Sequence, residues 1–168
     1  RLRIVALARD AASWGDLCEF ISAARRHAPK GGYRLDERSD FRLLRGCEVL
    51  VTLDREYCDA SDFIAASALL EKAKSQFGFK FWLMVELHLA PGDALWLDLL
   101  RRVGAHLGLP LVAAGGVCMH SRSRKPLHDV MTAVRLGRSV ADCGFALQAN
   151  AERHLRQRVR LAGIYPPD

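Results

Sequence analysis

The sequence predicts an α/β fold in which a parallel sheet alternates with helices. Four apolar runs have strand length: Leu2–Ala8, Cys47–Leu53, Lys80–Leu87 and Leu109–Gly115. Stretches with helical spacing of apolar residues separate them, and this alternation is typical of parallel sheets and β/α barrels. The 168 residues, 50% apolar and 26% charged, have the length and balance of one globular domain.

Five helices are expected between and after these strands, because apolar residues recur there every three or four positions. They cover Ser13–His27, Asp59–Phe77, Asp93–Leu107, Lys125–Leu136 and Asn150 to about Ala162. Asn150 is the predicted N-cap of the last helix, since an asparagine side chain can accept a hydrogen bond from the first turn.

The apolar residues of the third and fourth helices are predicted to face the core. In the third helix they are Leu95, Leu99, Val103 and Leu107. In the fourth, which has Pro126 in its first turn, they are Leu127, Val130, Met131 and Val134. Residues three and four positions apart share one side of a helix, so each helix is expected to bury that side.

The five cysteines favour a reducing cytoplasm over a disulfide framework. Their number is odd and no CxxC pair is present, so a structural zinc site of ordinary spacing is not predicted. Cys18 and Cys47 have apolar neighbours and are expected to be buried thiols. No membrane span or secretory leader is expected. Because the chain starts at Arg1 within an apolar run, it is expected to be a fragment of a longer protein.

All of the net positive charge lies in one C-terminal segment. The chain carries 25 Lys or Arg and 19 Asp or Glu, a formal net charge of +6. Residues 120–160 contain nine of the basic and three of the acidic residues, and the remainder is balanced at sixteen each. Such a stripe is typical of proteins that contact phosphate-rich partners. A solvated helix face is the alternative, and charge alone leaves both open.

Four potential metal ligands follow the third and fourth strands: Glu86, His88, Cys118 and His120. Sites in α/β folds collect at the carboxyl ends of strands, so the two pairs are expected to lie close together if the strands are neighbours. Glu86 is either a metal or catalytic carboxylate, or a buried carboxylate paired with an arginine or a helix end. His88 is either a ligand or a hydrogen-bonded wall residue.

Cys118 and His120 form a C-x-H pair whose side chains would point the same way on an extended segment. Two ligands alone are too few for zinc. A Cys/His pair could also serve nucleophilic catalysis, but only with the side chains in contact and an oxyanion hole. A loop thiol and a surface imidazole are the favoured interpretation.

Six basic residues are candidates for contact with a nucleic-acid backbone: Arg122, Arg124, Lys125, Arg153, Arg156 and Arg160. The first three precede the fourth helix, where backbone N–H groups can add to a phosphate site. The last three are predicted to share one face of the fifth helix. They could contact phosphates or equally pair with acidic residues of a neighbouring domain. No aromatic residues interleave with them, so base stacking is not predicted.

Three stretches resemble one domain of a known polymerase family. "LPLVAAGGVCMHSRSRKPLHDVMTAVRLGRSVADCGFALQANAERHLRQRVRLAGIYPP" is similar to the end of the PHP (polymerase and histidinol phosphatase) domain of bacterial error-prone DNA polymerases. These are C-family enzymes related to the polymerase III alpha subunit. "LRIVALARDAASWGDLCEFISAARRHAPKGGYRL" resembles the middle of that domain, and "FWLMVELHLAPGD" a later strand. The resemblance covers nearly the whole chain.

The resemblance implies a partial PHP-type fold, a distorted parallel β/α barrel with outer helices. Residues 1–149 would be an N-terminally truncated PHP domain, and residues 150–168 a helix leading toward an absent palm domain. The parent would be a DNA-directed DNA polymerase that uses Mg²⁺ and acts on DNA in translesion synthesis and damage-induced mutagenesis. It would be cytoplasmic, away from membranes, and would work with other mutagenesis proteins. Its catalytic aspartates would lie in the palm domain, so this fragment alone is expected to be inactive.

The motif after the fourth strand departs from the family pattern. The family usually has Gly-Asp-Val-His-Met-His there, whereas this chain has Gly115-Gly116-Val117-Cys118-Met119-His120. Two positions of PHP metal ligands are therefore changed, and metal binding is expected to be weak or absent. Three hypotheses follow: a structural or DNA-proximal part of a polymerase, a PHP-type metal-dependent phosphoesterase, and a stand-alone nucleic-acid-binding module.

Overall fold

Strands and helices alternate along the chain, as the sequence predicts. The computed structural model describes residues 1–36, 38–55, 59 and 61–165. The strands are β1 (Leu2–Ala8), β2 (Cys47–Leu53), β3 (Trp82–Glu86) and β4 (Leu111–Ala114). The helices are α1 (Ala11–Arg26), α2 (Phe63–Phe77), α3 (Asp93–Leu107), α4 (Lys125–Leu136) and α5 (Arg158–Ile164). None of the helices in the described ranges is long and apolar enough to cross a membrane.

The four strands form one sheet in the order β1-β2-β3-β4. β2 and β3 are parallel, but β1 and β2 are antiparallel, with Ala8 opposite Cys47. The expected wholly parallel sheet is therefore wrong at this pair. An apolar run predicts that a strand is buried but not in which direction it runs. After α1 the chain returns to the carboxyl end of β1, where Arg9 Nε donates to Gly46 O at 2.7 Å, and β2 starts there. The PHP-type barrel stays a prediction.

The chain divides into two units. Unit 1 comprises Arg1–Val85 and Asp98–Val112. Its core is apolar and comes from β2, α2 and the second part of α3, with Val51, Leu70 and Leu99 fully buried. α2 begins later than expected, because the Asp62 side chain caps it by accepting from Ala65 N at 2.9 Å.

Unit 2 comprises Glu86–Leu97 and Ala113–Asp168, of which residues 166–168 lie outside the described part. Its buried apolar residues are Leu87, Trp96, Met119, Ala133 and Cys143. Its buried polar residues are Glu86, Thr132, Glu152 and His154. Among its described residues, unit 2 therefore buries nearly as many polar residues as apolar ones. The predicted domain boundary after residue 149 stays a prediction.

Three burial predictions are wrong. The apolar residues of α4, Leu127, Val130, Met131 and Val134, face outward, and the same helix buries Thr132 and Ala133. Leu95 in the first turn of α3 is also exposed. Cys18 is exposed, whereas Cys47 is buried as expected. Helical spacing identifies an apolar stripe but not the side of the helix that its surroundings cover.

The last helix is shorter than expected, because residues 153–155 pair with Cys118 and Met119. Cys118 N and Met119 N donate to Arg153 O, and Leu155 N donates to Met119 O, which forms a parallel bridge. Asn150 is not an N-cap. Arg153 and Arg156 precede α5 and so do not share a helix face with Arg160, which corrects that prediction.

Candidate functional site

The ends of β3 and β4 in unit 2 carry a cluster of charged and polar groups. We call Glu86, His88, Gly116, Arg153 and Arg156 the strand-end cluster. Glu86 is the buried last residue of β3, and its Oε2 lies 3.9 Å from Arg153 Nη2. A Cβ atom at Gly116 would lie 2.8 Å from Glu86 Oε1, so glycine leaves the space that this carboxylate needs. Gly116 also has a φ of +52°, which favours glycine.

His88 is fixed through both its ring and its backbone. Ring Nε2 donates to Gly115 O at 2.9 Å, and the backbone N donates to Asp93 Oδ2 at 2.9 Å. The backbone O accepts from Asn150 Nδ2 at 2.7 Å. Burial lowers the pKa of His88, helped by the positive charges of Arg153 and Arg156, while the Gly115 bond and Glu86 act in the opposite direction. The geometry fits a neutral imidazole that donates from Nε2.

Arg156 and Tyr165 tie the C-terminal segment to the strand ends. Arg156 Nη1 donates to Leu87 O at 3.1 Å, and its Nε and Nη2 are buried. The Tyr165 hydroxyl accepts from Leu87 N at 3.0 Å and donates to Ala114 O at 2.7 Å. The tyrosine therefore joins the ends of β3 and β4 through one oxygen. Tyr165 was not predictable from the sequence, because a tyrosine before two prolines carries no pattern of its own.

The four predicted metal ligands do not form a ligand set. Cys118 and His120 are exposed, and Cys118 Sγ donates to Gly116 O at 3.4 Å. Glu86 and His88 lie in the strand-end cluster with arginines beside them. Within the described ranges, no group of three or more His, Cys, Asp or Glu side chains is placed to hold a metal ion. The side chains present therefore do not fit the metal centre that the family resemblance implies.

Glu152 is a buried carboxylate that sequence analysis missed. Its side chain is 3% exposed and forms ion pairs with Arg122 and, at 3.5 Å from Oε2, with Arg160 Nη2. The Glu152 backbone N donates to Asn150 Oδ1 at 2.9 Å. A single acidic residue among four arginines, in "ERHLRQRVR", is the sequence feature that could have indicated this ion-pair centre.

Five of the six candidate nucleic-acid-binding residues make contacts within unit 2. Arg122 and Arg160 pair with Glu152, and Lys125 Nζ lies 2.6 Å from Asp129 Oδ2. Arg153 lies beside Glu86, and Arg156 donates to the backbone. Arg124 is exposed at the end of a short 3₁₀ turn. Four of these residues pair with three carboxylates, Glu86, Asp129 and Glu152, so only part of the positive charge in residues 120–160 is balanced inside the unit.

The chain is similar over nearly its whole length to bacterial error-prone DNA polymerases. It is 41% identical over 170 residues to the error-prone DNA polymerase of Azoarcus sp. (strain BH72), covering 99% of this chain and 15% of that protein. The error-prone DNA polymerase of Dechloromonas aromatica is 41% identical, and the match covers 99% of this chain and 16% of that protein. That of Methylococcus capsulatus is 43% identical, and the match covers 98% of this chain and 15% of that protein. No protein-family model matches the chain. The resemblance to error-prone DNA polymerases is therefore confirmed, and the chain spans about 15% of the length of these relatives.

Proposed function

We propose that this chain, which is homologous to one segment of the bacterial error-prone DNA polymerases, is a non-catalytic PHP segment of such a polymerase. The observation that carries this proposal is the 41% identity across 99% of the chain. The parent is then a DNA-directed DNA polymerase that acts on DNA in translesion synthesis and damage-induced mutagenesis. Its Mg²⁺-dependent chemistry, its mutagenesis partners and its cytoplasmic location belong to the same proposal.

Electrostatics at the strand-end cluster support a non-catalytic role for this segment. A divalent cation bound by Glu86 would lie close to the positive charge of Arg153, which already neutralises that carboxylate. This contact opposes the phosphoesterase chemistry that the resemblance raised as an alternative.

The position of Gly116 supports the same conclusion on steric grounds. The family pattern has an aspartate there, but a side chain at Gly116 would collide with Glu86. An aspartate would also bring a second carboxylate against Glu86, which costs free energy unless a cation bridges the two. Glycine at position 116 leaves room for the Glu86 carboxylate, and Arg153 supplies the opposite charge. We therefore assign the strand-end cluster a structural role, which is to join β3, β4 and residues 150–156.

Primer extension by the complete parent protein tests the polymerase assignment. The coding sequence around this segment should encode palm-domain aspartates downstream and a His-x-His motif upstream. The purified parent should extend a primed DNA template with Mg²⁺, and the 168-residue chain alone should not. A parent that lacks extension activity would overturn the assignment. Release of phosphate from a generic ester by this chain, abolished by a chelator, would instead establish the phosphoesterase.

A DNA-proximal role for the basic residues is the second candidate, because residues 120–160 carry the whole net charge. Arg124 is the test position, since it is exposed. Replacing it with glutamine should weaken the DNA affinity of the parent and make the dependence on salt shallower. Lys72 in α2 of unit 1 offers a control, because it is an exposed cation outside this segment. Equal losses for R124Q and K72Q would exclude a localised contact.

A further inference from the structure

The apolar stripe of α4 faces away from the buried side of its own unit. We define the α4 stripe as Leu127, Val130, Met131 and Val134, which are between 48% and 76% exposed. They follow the i, i+3, i+4, i+7 spacing of one helix face. The side of α4 that the chain buries contains Thr132 and Ala133, and the Lys125–Asp129 ion pair lies there too, largely shielded from solvent.

The rest of unit 2 shows the same imbalance. Among the described residues, twelve of the nineteen large exposed apolar side chains belong to unit 2, although it is the smaller unit. Phe145, Leu155 and Val159 are examples outside α4. Contiguous exposed apolar surface on a protein marks a site of interaction. The four side chains of the α4 stripe are contiguous because they occupy adjacent turns of one helix.

We propose that the α4 stripe docks in cis against another part of the parent polypeptide, through an apolar surface edged by carboxylates. This inference rests on the proposed function, because it takes the polymerase as the parent. The chain covers 15% of the length of its relatives, so most of such a polypeptide lies outside this structure. Covalent linkage gives that remainder a high effective concentration at the stripe, which favours it over a separate molecule.

The charges beside the stripe define the chemistry of the surface that it meets. Arg135 lies one turn after Met131, and Arg138 follows the end of α4; both are exposed. An apolar centre with a charged rim is the usual anatomy of a docking surface. Opposite charges across the rim would set the orientation of the contact, so the partner surface carries Asp or Glu around an apolar groove.

Thiol labelling of the full-length parent tests the proposal. In V134C the new thiol replaces a side chain that is 76% exposed in this structure. S75C is the matched control, because Ser75 is exposed on the polar face of α2. A maleimide is added to each native protein, and peptide mass spectrometry separates the new thiol from Cys18 and Cys118, which are exposed as well. Urea-unfolded samples give the reference rates.

Docking predicts that the thiol of V134C reacts roughly tenfold or more slowly than the thiol of S75C in the native parent, and that the two rates become equal in urea. Equal rates in the native parent would overturn the proposal. The labelling is repeated after dilution of the protein. Protection that is lost on dilution would mean that a second copy covers the stripe, which overturns docking in cis.

Primer extension by the same V134C sample separates this inference from the proposed function. Extension by a parent whose V134C thiol reacts freely overturns the docking and leaves the polymerase assignment in place. Protection of that thiol in a parent that does not extend primers overturns the polymerase assignment and supports docking in cis.

Discussion

Among the described residues, unit 1 buries twenty-one apolar residues and three polar ones, whereas unit 2 buries five apolar residues and four polar ones. Helices α2 and α4 illustrate the difference. Both have apolar residues at helical spacing, but α2 buries Leu70 and Ala73, and α4 exposes Met131 and Val134. Hydrophobic burial therefore dominates in unit 1, and buried polar contacts have a larger share in unit 2.

One amphipathic pattern thus serves two purposes in the same chain. In α2 the stripe contributes to the core of its own unit. In α4 the stripe lies on the surface of its own unit. Substitutions in the two helices should therefore have unequal effects on the stability of the isolated chain.

The greatest loss of stability is expected in the core of unit 1. Leu70→Ala should lower the free energy of unfolding by about 2–5 kcal/mol, because it removes a fully buried side chain and leaves a cavity. Val134→Ala in α4 should change it by less than about 0.5 kcal/mol in the same chain, since Val134 is exposed. Urea denaturation of the two variants measures both values. Comparable losses would show that the two helices do not differ in this way.

The next effect concerns the glycine beside Glu86. Gly116→Ala combines a φ of +52° with a Cβ atom 2.8 Å from Glu86 Oε1. Gly144 is the matched control, because its φ is +51° and a Cβ atom there would meet nothing within 4 Å. Gly144→Ala should cost about 1–2 kcal/mol from the backbone alone.

Gly116→Ala should cost about 1–3 kcal/mol more than Gly144→Ala, because the collision with Glu86 adds to the backbone strain. Thermal unfolding of the two variants gives the difference. Equal losses would show that Glu86 moves aside freely, and would remove the steric argument about this position.

A smaller effect is expected at the ion-pair centre of unit 2. Glu152→Gln should lower the free energy of unfolding by about 1.5–3 kcal/mol, since the buried carboxylate loses its charged contacts with Arg122 and Arg160. Arg160→Gln should cost less, because its side chain is 45% exposed and Arg122 still pairs with Glu152. Denaturant unfolding of the unmodified chain and the two variants measures the free energy of unfolding of each. A larger loss for Arg160→Gln would contradict the central position of Glu152.

A weak pH dependence is expected from His88. Burial holds its pKa below the usual 6.5, so the unfolded chain takes up a proton at this residue before the folded chain does. Stability should therefore fall as the pH drops below 6.5, with a slope smaller than about 1.4 kcal/mol per pH unit. His88→Gln should flatten that slope just below the usual pKa of 6.5. An unchanged slope in the variant would assign the dependence to other groups.

The helices and strands were largely predictable from the sequence, because the side of each element that is apolar gives its residues a regular spacing. β1, β2, α3 and α4 have the predicted bounds. Strand direction was not predictable at β1 and β2, since an apolar run looks the same in either direction. The outward side of α4 was missed for a related reason: spacing defines a stripe, and only the surrounding structure decides whether the stripe is covered.

The candidate site was only partly predictable. Glu86 is the last residue of β3 and His88 follows that strand, so both lie at the strand ends, as expected from their positions at the end of an apolar run. The placement of Arg153 and Arg156 beside them depends on residues 150–157, where a helix was predicted and a bridge to Met119 formed instead. Glu152 and Tyr165 act through long-range contacts, which local patterns in a sequence do not encode.

A polymerase segment without catalytic chemistry of its own should tolerate loss of the C-x-H pair, so primer extension by a Cys118→Ala/His120→Ala variant of the parent is the decisive measurement. Both side chains are exposed, so the substitutions should leave the fold intact. We expect the same extension rate and the same bound-metal content as in the unmodified parent. Loss of a stoichiometric metal ion together with loss of extension, in a protein that still unfolds at the same temperature, would contradict the non-catalytic assignment.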